Sequence, residues 1–105
     1  MICLDEATLI QFKVIIIKHA PDCTVLVFGS RIKGTHKKYS DLDLAFKLTD
    51  NAKLGFSRIA KIKEAFEESN IPIKVDVIDY NAASAEFRRI IDSGYVVIFE
   101  GDKDN

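Results

Sequence analysis

The chain has 105 residues, of which 48% are hydrophobic and 30% are charged, and its net charge is −1. These values are typical of one globular domain, so we expect residues 1–105 to form a single domain. The near-neutral charge argues against a general role in coating nucleic acid, and no apolar stretch approaches the length that spans a bilayer. Cys3 and Cys23 lack the spacing of a zinc or redox site, so we expect a cytoplasmic protein with reduced thiols.

Hydrophobic periodicity predicts three helices and four strands. Apolar residues recur every three or four positions in the helices, and the strands are short apolar runs between turns. In chain order the prediction is helix 5–19, strand 24–29, polar loop 31–40, strand 41–48, helix 56–70, strand 71–78, helix 84–93 and strand 95–100. The first two strands are expected to be antiparallel neighbours because only a loop joins them. This order predicts an α/β or α+β sandwich.

Two of the helices allow predictions about individual residues. Asp5 is the expected N-cap of the first helix, although the β-branched run 14–17 favours a strand there. In the last helix, we expect Phe87, Ile90 and Ile91 to face the core, as the spacing of an amphipathic helix requires.

The most informative stretch joins the first two strands. Gly29 and Ser30 close the first strand, and Asp41 and Asp43 open the second one after a ten-residue spacer. Because side chains alternate faces along a strand, Asp41 and Asp43 point the same way. Their carboxylates can converge on a hard cation such as magnesium, and without a cation they repel each other. The sequence therefore predicts a divalent metal site here.

The turn before these acids is a candidate phosphate site. Gly29 allows a phosphate to approach the backbone, and Ser30 offers an N–H and a hydroxyl. Arg31 and Lys33 add positive charge. The turn is not a Walker P-loop, because Thr35 stands where that pattern needs lysine. The alternative interpretation is an ordinary solvated turn.

A third carboxylate, Asp76, lies inside the apolar strand 71–78, where aspartate is disfavoured. We favour Asp76 over Asp79 as the third acid of the site, because Asp79 falls on the opposite face of an extended strand. The alternative is that Asp76 pairs with a lysine such as Lys74 or is exposed on an edge strand. Three carboxylates beside a phosphate loop suit nucleotidyl transfer with two divalent ions, and Asp76 could help to deprotonate an acceptor hydroxyl.

With these motifs the chain resembles the minimal nucleotidyltransferases (MNT), small members of the DNA polymerase β-like superfamily. The residues that carry the resemblance are Gly29, Ser30, Asp41, Asp43 and Asp76. The likeness extends over nearly the whole chain. It implies a mixed four-stranded sheet packed with about three helices. It also implies a metal-dependent transferase with Mg²⁺ as cofactor and ATP as substrate.

The resemblance also implies a partner. Such proteins are typically encoded beside a HEPN-domain ribonuclease toxin and act as its antitoxin, in some pairs by transferring AMP from ATP to a tyrosine of the toxin. One alternative is a non-catalytic antitoxin that neutralises its partner by complex formation. Another is a nucleotidyltransferase that acts on a small molecule or nucleic acid.

Overall fold

The structure is a computed structural model that describes residues 5–29 and 41–101. Within these residues the chain forms three α-helices and a four-stranded sheet, which confirms the α/β prediction. None of the helices described there is long and apolar enough to cross a membrane. In chain order the elements are α1 (Glu6–His19), β1 (Cys23–Phe28), β2 (Leu42–Leu48), α2 (Phe56–Glu67), β3 (Val75–Asp79), a 3₁₀ turn (Tyr80–Ala82), α3 (Ala85–Asp92) and β4 (Tyr95–Phe99).

The sheet is mixed, with the strand order β3-β2-β1-β4. β1 pairs antiparallel with β2, as predicted from the loop that joins them, and antiparallel with β4. β2 pairs parallel with β3, because α2 carries the chain back between them. The first residues of β2 and β3 therefore lie side by side, at the same end of the two strands.

Alternation along the strands divides the core between the two faces of the sheet. On one face, Leu42, Leu44 and Phe46 of β2 are fully buried beneath α1 and α2, and the two helices meet through the rings of Phe12 and Phe66, 5.3 Å apart. On the other face, α3 covers a smaller cluster formed by Leu26, Phe28, Ala45 and Ile91. The odd and even positions of each strand thus serve different surfaces.

The helix α1 begins as predicted. The Asp5 carboxylate accepts a hydrogen bond from the N–H of Thr8 at 2.7 Å, which satisfies one free amide of the first turn. The β-branched run does not prevent the helix, because Phe12 and Ile16 become fully buried in the core, and packing outweighs a weak intrinsic preference.

Three predictions about the elements were wrong. Ile90 is 54% exposed rather than inward, because the short α3 turns only one side of its surface to the sheet. α2 ends at Glu67 rather than residue 70, where the Ser69 hydroxyl donates to the carbonyl of Phe66 at 2.6 Å. β3 begins at Val75 rather than residue 71; Pro72 lacks an N–H for strand pairing.

Candidate functional site

Two of the predicted acids lie side by side in the sheet. Asp43 of β2 is in register with Asp76 of β3. Both point to the α3 face, because their strand neighbours Leu42, Leu44 and Val77 pack on the opposite face. Asp41, exposed just before β2, is near enough to act electrostatically on Asp43. The structure therefore pairs Asp43 with Asp76 and leaves Asp41 nearby, just before β2.

The electrostatics of the site centre on Asp43. Partial burial raises the pKa of the Asp43 carboxyl above its ordinary value, and the negative charges of Asp76 and Asp41 raise it further. The closeness of the Asp76 carboxyl group acts in the same direction. The group that best relieves such a cluster is a cation shared by the carboxylates.

Gly29 closes the site on the β1 side. Phe28, the last residue of β1, is paired with Asp43, so the turn that follows lies directly beside that carboxylate. Gly29 has a φ of +86°, a conformation that favours glycine. A Cβ atom at this position would overlap Oδ2 of Asp43 and lie 3.4 Å from its Cγ. Glycine is thus needed here both for its backbone conformation and for the space left to the acid.

The other predicted nucleotide-binding residues cannot be placed in this geometry. Ser30, Arg31 and Lys33 lie outside the described residues. Their assignment to a phosphate site therefore stays a prediction from the sequence. Gly29 is the residue of that motif whose surroundings the structure describes.

Asp79, the rival for the third acid, has a different position. One of its carboxylate oxygens, Oδ2, accepts hydrogen bonds from the N–H groups of Leu54 and Gly55, at 2.9 and 3.3 Å. It thereby holds the loop before α2 against the end of β3, at the opposite end of the strand from the acids. The alternative pairing of Asp76 with Lys74 is not formed by these two described residues.

The donor set fits a hard divalent cation. Within residues 5–29 and 41–101 no three acidic, histidine or cysteine side chains stand in a ready-made ligand arrangement. Asp43 and Asp76 nevertheless present adjacent carboxylates, and the burial of Asp43 together with the negative charge of Asp76 raises the pKa of Asp43. Oxygen ligands are those that magnesium prefers, so Asp43 and Asp76 are the described residues that would hold the ion.

One contribution to the site was not assigned from the sequence. Phe28 lies beside Asp43 on the same face of the sheet. The ring of Phe87 from α3 packs edge-on against the ring of Phe28, with 5.9 Å between the ring centroids. Together the two rings form an apolar wall next to the acids. The period of the last helix predicted that Phe87 faces inward, but not that it lies beside the acidic cluster.

Comparison with known proteins gives matches over most of the chain. Residues 11–104 match the family described as Polymerase beta, Nucleotidyltransferase. The chain is 48% identical over 91 residues to a protein of Haemophilus influenzae described as "probable protein adenylyltransferase MntA". That match covers 87% of this chain and 78% of the Haemophilus protein.

Solved structures share the fold at lower identity. A toxin–antitoxin crystal structure with AMP-PNP superimposes with a TM-score of 0.73 at 19% identity, covering 90% of this chain and 74% of the other. A complex of a tri-AMPylated Shewanella oneidensis HEPN toxin with its MNT antitoxin gives a TM-score of 0.69 at 15% identity, covering 92% and 73%. With the motif, the family match and the close relative in agreement, the chain belongs to the polymerase beta nucleotidyltransferase family.

Proposed function

We propose that this chain is the antitoxin of a toxin–antitoxin pair and transfers AMP from ATP to a tyrosine of a HEPN-domain toxin. The single observation that carries the proposal is the pairing of Asp43 with Asp76 beside Gly29, on one face of the sheet. The 48% identity to a described protein adenylyltransferase supports the acceptor class. The fold shared with toxin–antitoxin complexes supports the kind of partner. Because the reaction consumes ATP, we assign it to the cytoplasm.

In this proposal the site residues fall into two groups, one for the metal and one for the triphosphate, and Asp76 of the first group is also the base. Asp41, Asp43 and Asp76 hold magnesium. The backbone at Gly29 and the residues Ser30, Arg31 and Lys33 hold the triphosphate of ATP. Bound magnesium supplies positive charge that neutralises the phosphate oxygens during transfer.

The transfer step needs one base and one leaving group. The hydroxyl oxygen of the acceptor tyrosine forms a bond to the α-phosphorus of ATP, while the bond from that phosphorus to the bridging oxygen breaks and pyrophosphate leaves. The Asp76 carboxylate accepts the proton that the tyrosine hydroxyl loses. The apolar wall of Phe28 and Phe87 limits the access of water to the acids from that side, which favours the tyrosine over water as the acceptor.

The test uses the chain together with the HEPN protein encoded beside it. Incubation with ATP and magnesium is expected to add the mass of one or more AMP groups to the HEPN protein, as measured by mass spectrometry. Chelation of divalent ions is expected to stop the transfer, and added magnesium to restore it. Replacing the base by Asp76→Asn is expected to slow the transfer by about 10²–10⁴-fold.

Asp50→Asn is the matched control. Asp50 is an exposed aspartate beyond the far end of β2, and an asparagine oxygen can still accept its hydrogen bond from the N–H of Ala52, so this variant should transfer AMP at the wild-type rate. An unchanged HEPN mass despite bound ATP would overturn the transfer. If Asp43→Asn combined with Asp76→Asn still neutralised the toxin, complex formation alone would be sufficient.

A further inference from the structure

Helix α1 has apolar residues on two opposite sides. Phe12 and Ile16 face the core and are fully buried, whereas Ile10, Val14 and Ile17 are 55%, 61% and 57% exposed. A helix on the surface of a globular protein normally turns polar residues to solvent, and one that is apolar all round is normally covered on all sides. The solvent side of α1 is therefore expected to be covered by a partner.

The exposed apolar residues are regularly spaced. Ala7, Ile10, Val14 and Ile17 follow one another at intervals of three, four and three residues, and we call this set the outer stripe. Such spacing is that of the seam between two packed helices. Beside the stripe, a groove of 540 Å³ runs between α1 and α2 and is lined in part by Val14, Ile15 and Ala65. The groove leaves room for side chains of an opposing helix.

The outer stripe is symmetric about position 12 of the chain. Ala7 and Ile17 are equally far from that position, and so are Ile10 and Val14. In an interface between two identical chains, each residue must meet a residue that it also opposes in return. An antiparallel pair of α1 helices meets this requirement, since it sets Ala7 opposite Ile17 and Ile10 opposite Val14.

The charges at the ends of α1 favour the same arrangement. The helix starts with Glu6 after the Asp5 cap and ends with Lys18 and His19. Antiparallel packing brings the acidic end of one helix beside the basic end of the other and opposes the two helix dipoles, whereas parallel packing would align like charges. Lys13 flanks the midpoint and would meet its own copy there, with its ammonium group extended into solvent.

We propose that two copies of this chain associate through the outer stripe, with their α1 helices antiparallel about a twofold axis near residue 12. The acids lie on the α3 face of the sheet and α1 covers the other face. Both candidate active sites therefore stay open in the pair. The association is independent of the proposed AMP transfer.

Sedimentation equilibrium of the full chain tests the pair directly. We expect a species of twice the chain mass that dissociates on dilution. Val14→Asp, which places a charge in each half of the seam, should raise the dissociation constant by at least about 30-fold. The matched control is Ile90→Asp, because Ile90 is similarly exposed but lies on α3; it should leave the dissociation constant unchanged. A wild-type monomer at all concentrations, or equal weakening by both variants, overturns the proposal.

A mixing experiment tests the antiparallel arrangement. Because Lys13 faces its own copy, Lys13→Glu only exchanges one like-charge pair for another. A mixture of wild type and Lys13→Glu should form mixed pairs that are about 3- to 10-fold tighter than either homodimer. No preference for mixed pairs overturns the arrangement. If the wild type is monomeric and Val14→Asp instead abolishes binding to the HEPN protein, the outer stripe belongs to that partner.

Discussion

The Cα atom of Gly29 lies against the carboxylate of Asp43, so closely that a methyl group on Gly29 would overlap Oδ2 of the acid. The contact follows from the register of the sheet, in which Phe28 pairs with Asp43 and the next residue turns over the acid's side chain. The turn proposed to hold phosphate and the acid proposed to hold metal are therefore in direct contact. A substitution in the turn is therefore expected to affect the acid, and a substitution of the acid is expected to affect the turn.

Gly29→Ala is expected to destabilise the protein through this contact as well as through its positive φ. In an Asp43→Ala background the cost of Gly29→Ala should fall by about 1–3 kcal/mol, because the overlap is removed. Gly55→Ala is the matched control: Gly55 also has a positive φ, but a Cβ there meets nothing within 4 Å. Its cost should be the same in both backgrounds. Urea unfolding of the single and double variants measures both costs, and equal coupling for the two glycines would contradict the contact.

Asp43→Asn is expected to raise the melting temperature at neutral pH in the absence of divalent ions. The folded-state pKa of Asp43 is raised, so its carboxyl contributes most to stability below the unfolded pKa of about 3.9, and that contribution is lost as the pH rises through the folded pKa. The gain from Asp43→Asn should therefore shrink as the pH falls through the raised folded pKa of Asp43, and should be smallest below about 4. Thermal melts across this range check the sign, with the exposed Glu67→Gln as the control. A loss of stability at neutral pH would contradict the repulsion.

Magnesium should reverse that ranking if the acids share the ion. Saturating magnesium is expected to raise the melting temperature of the wild type, by mass action on the folded state, and to have little effect on Asp43→Asn. At a concentration 100 times the dissociation constant, the gain is about 2.7 kcal/mol. Calorimetric melts with and without magnesium measure it. A rise of the same size in both proteins would place the ion elsewhere.

Arg58→Met is expected to cost about 1 kcal/mol at neutral pH. The Arg58 guanidinium pairs with both carboxylate oxygens of Asp22 and also donates to the carbonyl of His19 at 3.4 Å, so it joins α2 to the end of α1. The pairing lowers the pKa of Asp22. Its contribution is thus present above the unfolded pKa and is lost as the pH falls through the lower folded value. Urea unfolding at pH 7 and near pH 2 should show the cost and then its decrease, while exposed Lys61→Met stays neutral at both.

Gly101→Ala is expected to destabilise the fold by about 1–3 kcal/mol. A Cβ on Gly101 would lie 2.6 Å from the backbone carbonyl of Cys23, and backbone cannot move aside as a flexible side chain can. Gly94→Ala is the matched control, since its Cβ meets nothing within 4 Å; it should be neutral or stabilising by up to about 1 kcal/mol. Thermal melts rank the two variants. Equal melting temperatures would show that the chain after β4 does not pack against β1.

The pairing of acids on one face could be predicted from the sequence because side chains alternate faces along a strand with a period of two. Alternation places Asp43 and Asp76 each opposite its apolar strand neighbours, whereas Asp41 lies just before β2. The parallel register of β2 and β3 then decided that Asp43 and Asp76 meet. That register is a long-range property, and the choice between Asp76 and Asp79 rested on alternation alone.

Contacts between segments that are far apart in the chain could not be predicted from the sequence. Arg58 and Asp22 are 36 positions apart, and neither belongs to a sequence motif that would predict their contact. The same holds for Asp79, whose hydrogen bonds fix the loop before α2. The prediction that Ile90 faces the core was wrong. A helical period gives the width of an apolar face, but it does not give the part of that face that a short helix buries against a sheet.

The parallel pairing of β2 with β3 has a consequence for how this centre can vary among proteins. The crossover that joins the two strands can be lengthened or shortened in its loops without moving the acids, because backbone pairing, not linker length, aligns them. Loss of the single residue Val75 would be different. It would rotate every later side chain of β3 to the other side of the sheet and leave Asp43 facing a valine.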